Sequence, residues 1–248
     1  MNIVVCINHV PDTETRVKVG ADGKTIDRTN VNYILNPYDE FAIEECLRLK
    51  EKFGGEVTVL SLGGESFKET LRKALAMGVD KAILLKDEPG RDSYAVAKAL
   101  AETIKELSPD IILFGKQSID YDASQVGTMV AELLRLPSAS VVVKLEVFDK
   151  TATVHREIEG GHEIVEVKLP AVFTAQKGLN EPRYPSLKGI MAAKSKLIQE
   201  RPTLPVESKV QVLSMRTPPP KSPGKIVGTD VSAVPELVRL LHEEAKVI

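Results

Sequence analysis

Four short, almost wholly apolar runs set the tightest constraint on how this chain folds: residues 2–7, 57–62, 82–85 and 111–114. A run of that length without alternation describes a strand covered on both faces. Helical patterns separate the runs. Asn36 suits an N-cap, Pro37 the first helical position, and Asp39 and Glu40 the positive end of a helix. Ala42, Cys46, Leu49 and Phe53 then form one face, with Ile43 and Leu47 beside it, and Gly54-Gly55 closes the element. The unit repeats. Gly63-Gly64 turns the chain after residues 57–62, and Ser66 with Glu69 has capping-box spacing for a helix ending at Gly78. Residues 93–107 and roughly 124–136 are the next helices, the former with Ala95, Val96, Ala99, Leu100 and Thr103 inward. Strands alternating with helices at this spacing predict an α/β fold, a Rossmann-like parallel sheet with helices on both faces.

The excursion at residues 10–27 reads as extended, with room for a hairpin. The strand–helix pattern breaks after Pro137. Residues 141–148, 151–158 and 162–169 alternate, separated by Asp149-Lys150 and Gly160-Gly161, which predicts an antiparallel hairpin insertion. Residues 171–175 return to the main sheet. Thr217-Pro218-Pro219-Pro220 and Ser222-Pro223 make an extended C-terminal arm, ending in a short helix over residues 235–246 that packs on this domain or on a partner. We therefore expect one domain over residues 1–200 and an arm over 201–248.

Several function classes fall away on composition. A net charge of −2 exerts no general pull toward nucleic acid or anionic lipid. No apolar run is long enough to cross a bilayer, and no secretory signal is visible. Cys6 and Cys46 sit in apolar segments and suggest neither a disulfide framework nor a metal site. The four histidines have no ligand spacing. A cytoplasmic protein, or a mitochondrial-matrix one from a eukaryote, fits these features.

In an open parallel sheet, ligands bind beyond the carboxyl ends of the strands, where strand order reverses. The turns expected there are residues 6–9, 36–39, 62–64 and 115–128. Helix N-termini suit phosphate, small residues such as Ser124, Gly127 and Thr128 let it approach, and Gln125 adds an amide. Asp120 or Asp122 could accept a ribose hydroxyl, pair as acid and base or hold Mg²⁺, or simply cap the helix. Neither a Walker motif nor a Gly-x-Gly-x-x-Gly follows a strand, and no nucleophile elbow is present. A second stretch, residues 175–196, crowds Asn180, Pro182, Arg183, Tyr184 and Pro185 ahead of an amphipathic run with Lys194 and Lys196. Its composition describes either a tight crossover or a stiff docking element.

Three motifs together resemble the beta subunit of electron transfer flavoprotein: Asn36-Pro37-Tyr38-Asp39-Glu40-Phe41-Ala42-Ile43-Glu44-Glu45, Gly115-Lys116-Gln117-Ser118-Ile119-Asp120-Tyr121-Asp122, and Leu179-Asn180-Glu181-Pro182-Arg183-Tyr184. The likeness runs from the first strand to the last helix. It implies a non-catalytic electron-carrier subunit that pairs with an alpha subunit. FAD would be bound mainly by that partner, taking electrons from acyl-CoA or other flavin dehydrogenases in fatty acid oxidation and passing them to a quinone oxidoreductase. Within the beta subunit it implies AMP, contacted by Cys6, Asn36, Pro37, Tyr38, Asp39, Leu62, Asp120, Asp122, Ala123, Ser124, Gln125, Val126, Gly127 and Thr128. It also makes residues 175–196 the recognition loop, with Leu187 as the anchor to the dehydrogenase and Arg183, Tyr184, Ile190, Met191, Lys194 and Lys196 around it.

Departures from the family pattern keep alternatives open. Tyr121 matches neither the Ile-Asp-Asp-Asp common in simple carriers nor the Ile-Asp-Gly-Asp common in bifurcating relatives. Val10-Pro11-Asp12-Thr13 and Gln125-Val126-Gly127 lean toward the bifurcating type, in which a second FAD replaces AMP; Thr13 also stands where many simple carriers place an aromatic residue. Lys116 and residues 180–184 lean toward the simple carrier. An ATP-dependent enzyme of similar fold is the reading from another class, with Asp120 or Asp122 on Mg²⁺.

Overall fold

A computed structural model describes residues 1–87, 90–221 and 223–248 of the chain. The strands are β1 (Asn2–Cys6), β2 (His9–Pro11), β3 (Tyr33–Leu35), β4 (Glu56–Gly63), β5 (Lys81–Lys86), β6 (Ile111–Gly115), β7 (Ser138–Phe148), β8 (Thr151–Ile158), β9 (Gly161–Lys168), β10 (Ala171–Ala175) and β11 (Ile198–Pro202). The α-helices are α1 (Pro37–Phe53), α2 (Phe67–Met77), α3 (Ser93–Leu107), α4 (Val126–Leu134), α5 (Leu187–Ser195) and α6 (Val234–Arg239). Nine strands make one sheet in the order β11-β5-β4-β1-β6-β10-β7-β8-β9, while β2 and β3 form a separate antiparallel pair. From β11 to β7 all neighbours are parallel; β7, β8 and β9 continue the sheet as an antiparallel meander.

The four apolar runs became β1, β4, β5 and β6, because their side chains are buried on alternate faces. Ile3, Val5, Val57, Leu84 and Leu113 pack with α1 and α2. Val4, Cys6, Leu60, Ile83 and Ile112 pack with α3 and α4 on the opposite face. Helices thus cover both sides of the central strands, and strand order reverses between β1 and β6. Phe173 of β10 is the largest fully buried side chain.

Several boundaries differ from the sequence expectations for identifiable reasons. Helix α4 starts at Val126, because Asp122 and Ser124 take left-handed φ of 49° and 51°. It ends at Leu134, because Arg135 has φ 56°. The Ser66–Glu69 capping box does not form: Ser66 is already helical and makes no side-chain cap. Aspartate 92 caps α3 instead, accepting from Ala95 N at 2.8 Å. The excursion after β1 closes through β2 and β3, with a lone bridge between Val19 and Ile26 inside it. The second hairpin turn is Glu159-Gly160, since Ile158 pairs with Gly161.

Strand β11 was not anticipated. Its Gln199-Glu200-Arg201 core is polar, as a sheet edge permits, and Lys68 and Lys86 pair with Glu200. It straddles residue 200, where the arm was expected to begin. From Thr203 to Gly228 the described residues form no regular element, and Ser222 of the proline-rich stretch lies outside the described residues. Residue Asp92 tethers the arm by accepting from Lys209 N and, at 2.7 Å, from Val210 N. The terminal helix runs through a 3-10 turn (Val231–Ala233), α6 and a π turn (Leu240–Glu244), burying Leu240.

Candidate functional site

The carboxyl ends of β1 and β6 are joined by the first turn of α1. The Asp39 carboxylate is buried, its Oδ2 accepting from Asn8 N at 2.7 Å and its Oδ1 from Gly115 N at 3.0 Å. Burial pushes its pKa up to about 7, against the pull of Asn8, Asn36 and Gly115 and with a small push from Asp120. Asn36 holds the N-cap position, yet its fully buried side chain does not cap. Its Nδ2 donates to Gln117 O at 2.9 Å, and its Oδ1 accepts from Ile119 N at 3.3 Å. Helix α1 therefore starts as its Pro37 predicted, while Asn36 and Asp39 stitch loops from both sides of the strand-order reversal into one rim. Glycine 115 is obligatory in this seam: a Cβ there would lie 2.4 Å from Asp39 Oδ1 and 2.7 Å from Tyr38 Cβ.

The loop after β6 is ordered by its own polar side chains. Aspartate 120 accepts from Ser118 Oγ at 2.5 Å, Tyr121 N at 3.0 Å and Asn8 Nδ2 at 3.4 Å. Asp122 accepts from Gln117 Nε2 at 2.6 Å, and Ser124 Oγ donates to Gln117 Oε1 at 2.9 Å. The two carboxylates are thus engaged with different partners. Among the described residues, no group of three His, Cys, Asp or Glu side chains could hold a metal ion. Lys116 lies 5.0 Å from the Tyr38 ring centroid.

Helix α4 begins immediately beyond, where Val126, Gly127 and Thr128 present amides that have no acceptor within the helix. Ala123, Ser124 and Gln125 lead into it exposed, and Gly127 packs against Phe114 and Thr174. Half-buried Leu62 and Val126 share an apolar face with Cys6 and Phe114. The Cys6 thiol is pushed well up by burial and then by Asp39, so it serves as apolar wall rather than as a thiolate. All fourteen residues expected to bind a nucleotide come from these strand ends and helix starts. The chemistry of the donor set suits an anion on the α4 amides, a hydroxylated sugar on a carboxylate and a ring against Leu62.

Two residues of the expected turn at 6–9 have roles that the sequence does not show. Asn8 links Asp39 to Asp120. His9 is buried, its ring stacked on Tyr33 at 4.9 Å and tilted against Phe67 at 5.1 Å. Burial lowers its pKa, with Glu69 pulling the other way.

The second stretch, residues 175–196, starts beside this rim, where Ala175 O accepts from Lys116 N at 2.9 Å, and then packs against α1 and α2. Asn180 is buried and donates to Phe41 O at 3.0 Å and Glu45 Oε2 at 2.9 Å. The Arg183 guanidinium is paired with Glu44 at 2.7 Å and Glu51 at 2.5 Å. Ser186 caps α5 by accepting from Gly189 N at 3.0 Å. Lys196 Nζ donates to Val79 O at 2.6 Å, while Lys194 is exposed. Outward from α5 and its entry, Tyr184 is 95 % exposed, Leu187 84 %, Met191 71 % and Ile190 42 %.

The family described as "Electron transfer flavoprotein domain" matches residues 23–204. The chain is similar to the electron transfer flavoprotein subunit beta of Bacillus subtilis, 41 % identical over 261 residues and covering the whole of both chains. It resembles the subunit beta of Syntrophomonas wolfei at 44 % identity, over 90 % of this chain and 88 % of that one. The mitochondrial subunit beta of Arabidopsis thaliana is 39 % identical over the full length of both.

Proposed function

The chain belongs to the electron transfer flavoprotein family, among its beta subunits, and on that premise we propose that it works as one half of a heterodimeric electron carrier. The partner is an alpha subunit, whose FAD supplies the redox chemistry. This chain holds AMP at the rim between β1 and β6 and docks the donor, an acyl-CoA or other flavin dehydrogenase. A quinone oxidoreductase is the acceptor. The observation that carries the reading is the full-length similarity to subunit beta chains, and the stitching of residues 36–39 to residues 115–119 by Asn36 and Asp39 at the strand-order reversal supports it.

The amides of Val126, Gly127 and Thr128, with Ser124 and Gln125, bind phosphate. Asp120 or Asp122 accepts from the ribose. Cys6, Leu62 and the backbone of residues 36–39 enclose the base. Leu187, Tyr184, Ile190 and Met191 form the apolar docking face, with Lys194 beside it and Arg183 and Lys196 at its base. No helix among the described residues is long and apolar enough to cross a membrane. The nucleotide-binding domain, expected over residues 1–200, would run through the end of β11 at Pro202, with the arm beyond it, working in the cytoplasm or, in a eukaryote, the mitochondrial matrix.

The test is the cofactor count. Co-expressed with its alpha subunit, the chain should yield a yellow heterodimer with one FAD and one AMP, whereas the chain purified alone should carry little flavin. A colourless heterodimer would refute the reading. Two FAD and no AMP would establish the bifurcating alternative, which residues 10–13 and 125–127 favour. Turnover of ATP by the chain alone would point to the enzyme class instead.

A further inference from the structure

The docking face proposed above rides on α5, and α5 is gripped at both ends by side chains from the helices beneath it. At its entry, Arg183 donates from its backbone N and Nε to Glu44 Oε2 at 3.1 and 2.7 Å, and from Nη2 to Glu44 Oε1 at 3.1 Å. Arg183 Nη1 reaches Glu51 Oε1 at 2.5 Å, and Arg48 Nε holds Glu44 Oε1 from within α1 at 2.9 Å. Glu44 itself is 3 % exposed. At the exit, Arg72 of α2 donates from Nη1 to Ala193 O at 2.5 Å and also to Lys196 O; Ala193 O accepts from Lys196 N as well, at 3.3 Å, so the guanidinium adds a second hold on the last turn of α5. Between these grips α5 lies so close to α2 that a Cβ on Gly189 would stand 2.3 Å from Ala76 O. Leu187 and Met191 nevertheless face outward.

A fork-to-fork pair fixes direction as well as distance, and a helix pinned at both ends has little freedom left to lose on binding. We propose that Glu44 and Arg72 are positioning residues for electron transfer: acting through Arg183 and through the exit carbonyls of α5, they hold the docking helix in one pose before the dehydrogenase arrives. Glu44 is too deeply buried to touch a partner, so its effect must run through Arg183. Without the clamp, association has to order the loop and α5, a cost that appears as weaker docking. This proposal rests on the docking reading, and the two can fail separately.

The experiment uses the FAD-loaded heterodimer as acceptor for a flavin-dependent acyl-CoA dehydrogenase that reduces the parent protein. KM and kcat are measured with FAD content, melting temperature and amide hydrogen exchange over α5. Glu44→Gln and Arg72→Met should each raise KM for the carrier by about tenfold, with kcat and FAD content unchanged and with faster exchange across α5. Arg72→Lys should recover part of the loss. Combined with Leu187→Ala, Glu44→Gln should add less than it does alone, because the two then share one interaction. If Leu187→Ala raises KM and Glu44→Gln does not, the clamp is overturned and docking through α5 stands. Parental KM in Leu187→Ala overturns the docking reading, and the clamp with it. A loss of FAD or kcat in step with KM would mean a general folding role and would also overturn the proposal. Should Glu44→Gln not fold, Glu51→Gln, which alters the more exposed carboxylate, should raise KM and α5 exchange in the same direction; no change in either overturns the clamp.

Discussion

Replacing Gly115 by alanine is the sharpest test of the rim. The new Cβ would lie 2.4 Å from Asp39 Oδ1, 2.7 Å from Tyr38 Cβ and 2.8 Å from Tyr38 C. Two of these atoms belong to the backbone or its first side-chain carbon, so rotating a side chain cannot relieve the clash. Strand β6 and the first turn of α1 must separate. Overpacking of this kind costs about 1–3 kcal/mol. The separation also breaks the bond from Gly115 N to Asp39, worth about 1.5–3 kcal/mol once the carboxyl is ionised, above about pH 7. Together these make roughly 3–6 kcal/mol against a typical domain stability of about 5–15. At about 2–4 °C per kcal/mol for a chain of this size, the melting temperature should fall by roughly 6–24 °C. Circular dichroism melting gives the readout. Gly161→Ala is the control, because a Cβ there meets nothing within 4 Å. If Gly115→Ala melts with this control, the seam does not constrain the fold as argued.

The remaining predictions concern charge, helix contact and core. Asp39 has a folded pKa of about 7 against a usual 3.8, so the folded state holds its proton longer and stability should fall as pH rises from about 4 to 7. Asp39→Asn should lower stability through a lost acceptor but flatten that slope; urea midpoints at pH 5 and 8 compare the two proteins, with His9 and Glu45 common to both, and an equally steep slope in the variant would count against the buried carboxyl. Gly189→Ala pushes α5 off Ala76 O and should cost about 1–3 kcal/mol, read as a lower urea midpoint and faster exchange in α5. Phe173→Ala leaves a cavity at the largest fully buried side chain and should cost about 3–5 kcal/mol by urea unfolding. A loss near 1 kcal/mol would mean that β10 collapses around the gap.

Most of the architecture is legible in the local pattern of residues. Apolar runs become central strands, and period-3.6 faces between glycines become α1 to α3, because these signals lie within one element and need no knowledge of its neighbours. Helix α3 falls on the predicted residues 93–107, and the two-residue separators located the meander, the second of them one residue late. The rim region was legible too, since the ends of parallel strands and the starts of helices follow from the strand pattern. Tertiary structure alone decided what the polar side chains do. Asn36 reads as a helix cap, but burial against a loop more than 80 residues away turns it to Gln117 and Ile119. Nothing local to Glu44 in α1 shows that Arg183, 139 residues on, claims it. Strand β11 carries no apolar signal because an edge needs none; its place comes from pairing with β5. Hydrophobic periodicity records which face is buried, whereas a hydrogen bond records which two distant groups meet, and that meeting exists only after the sheet has brought them together.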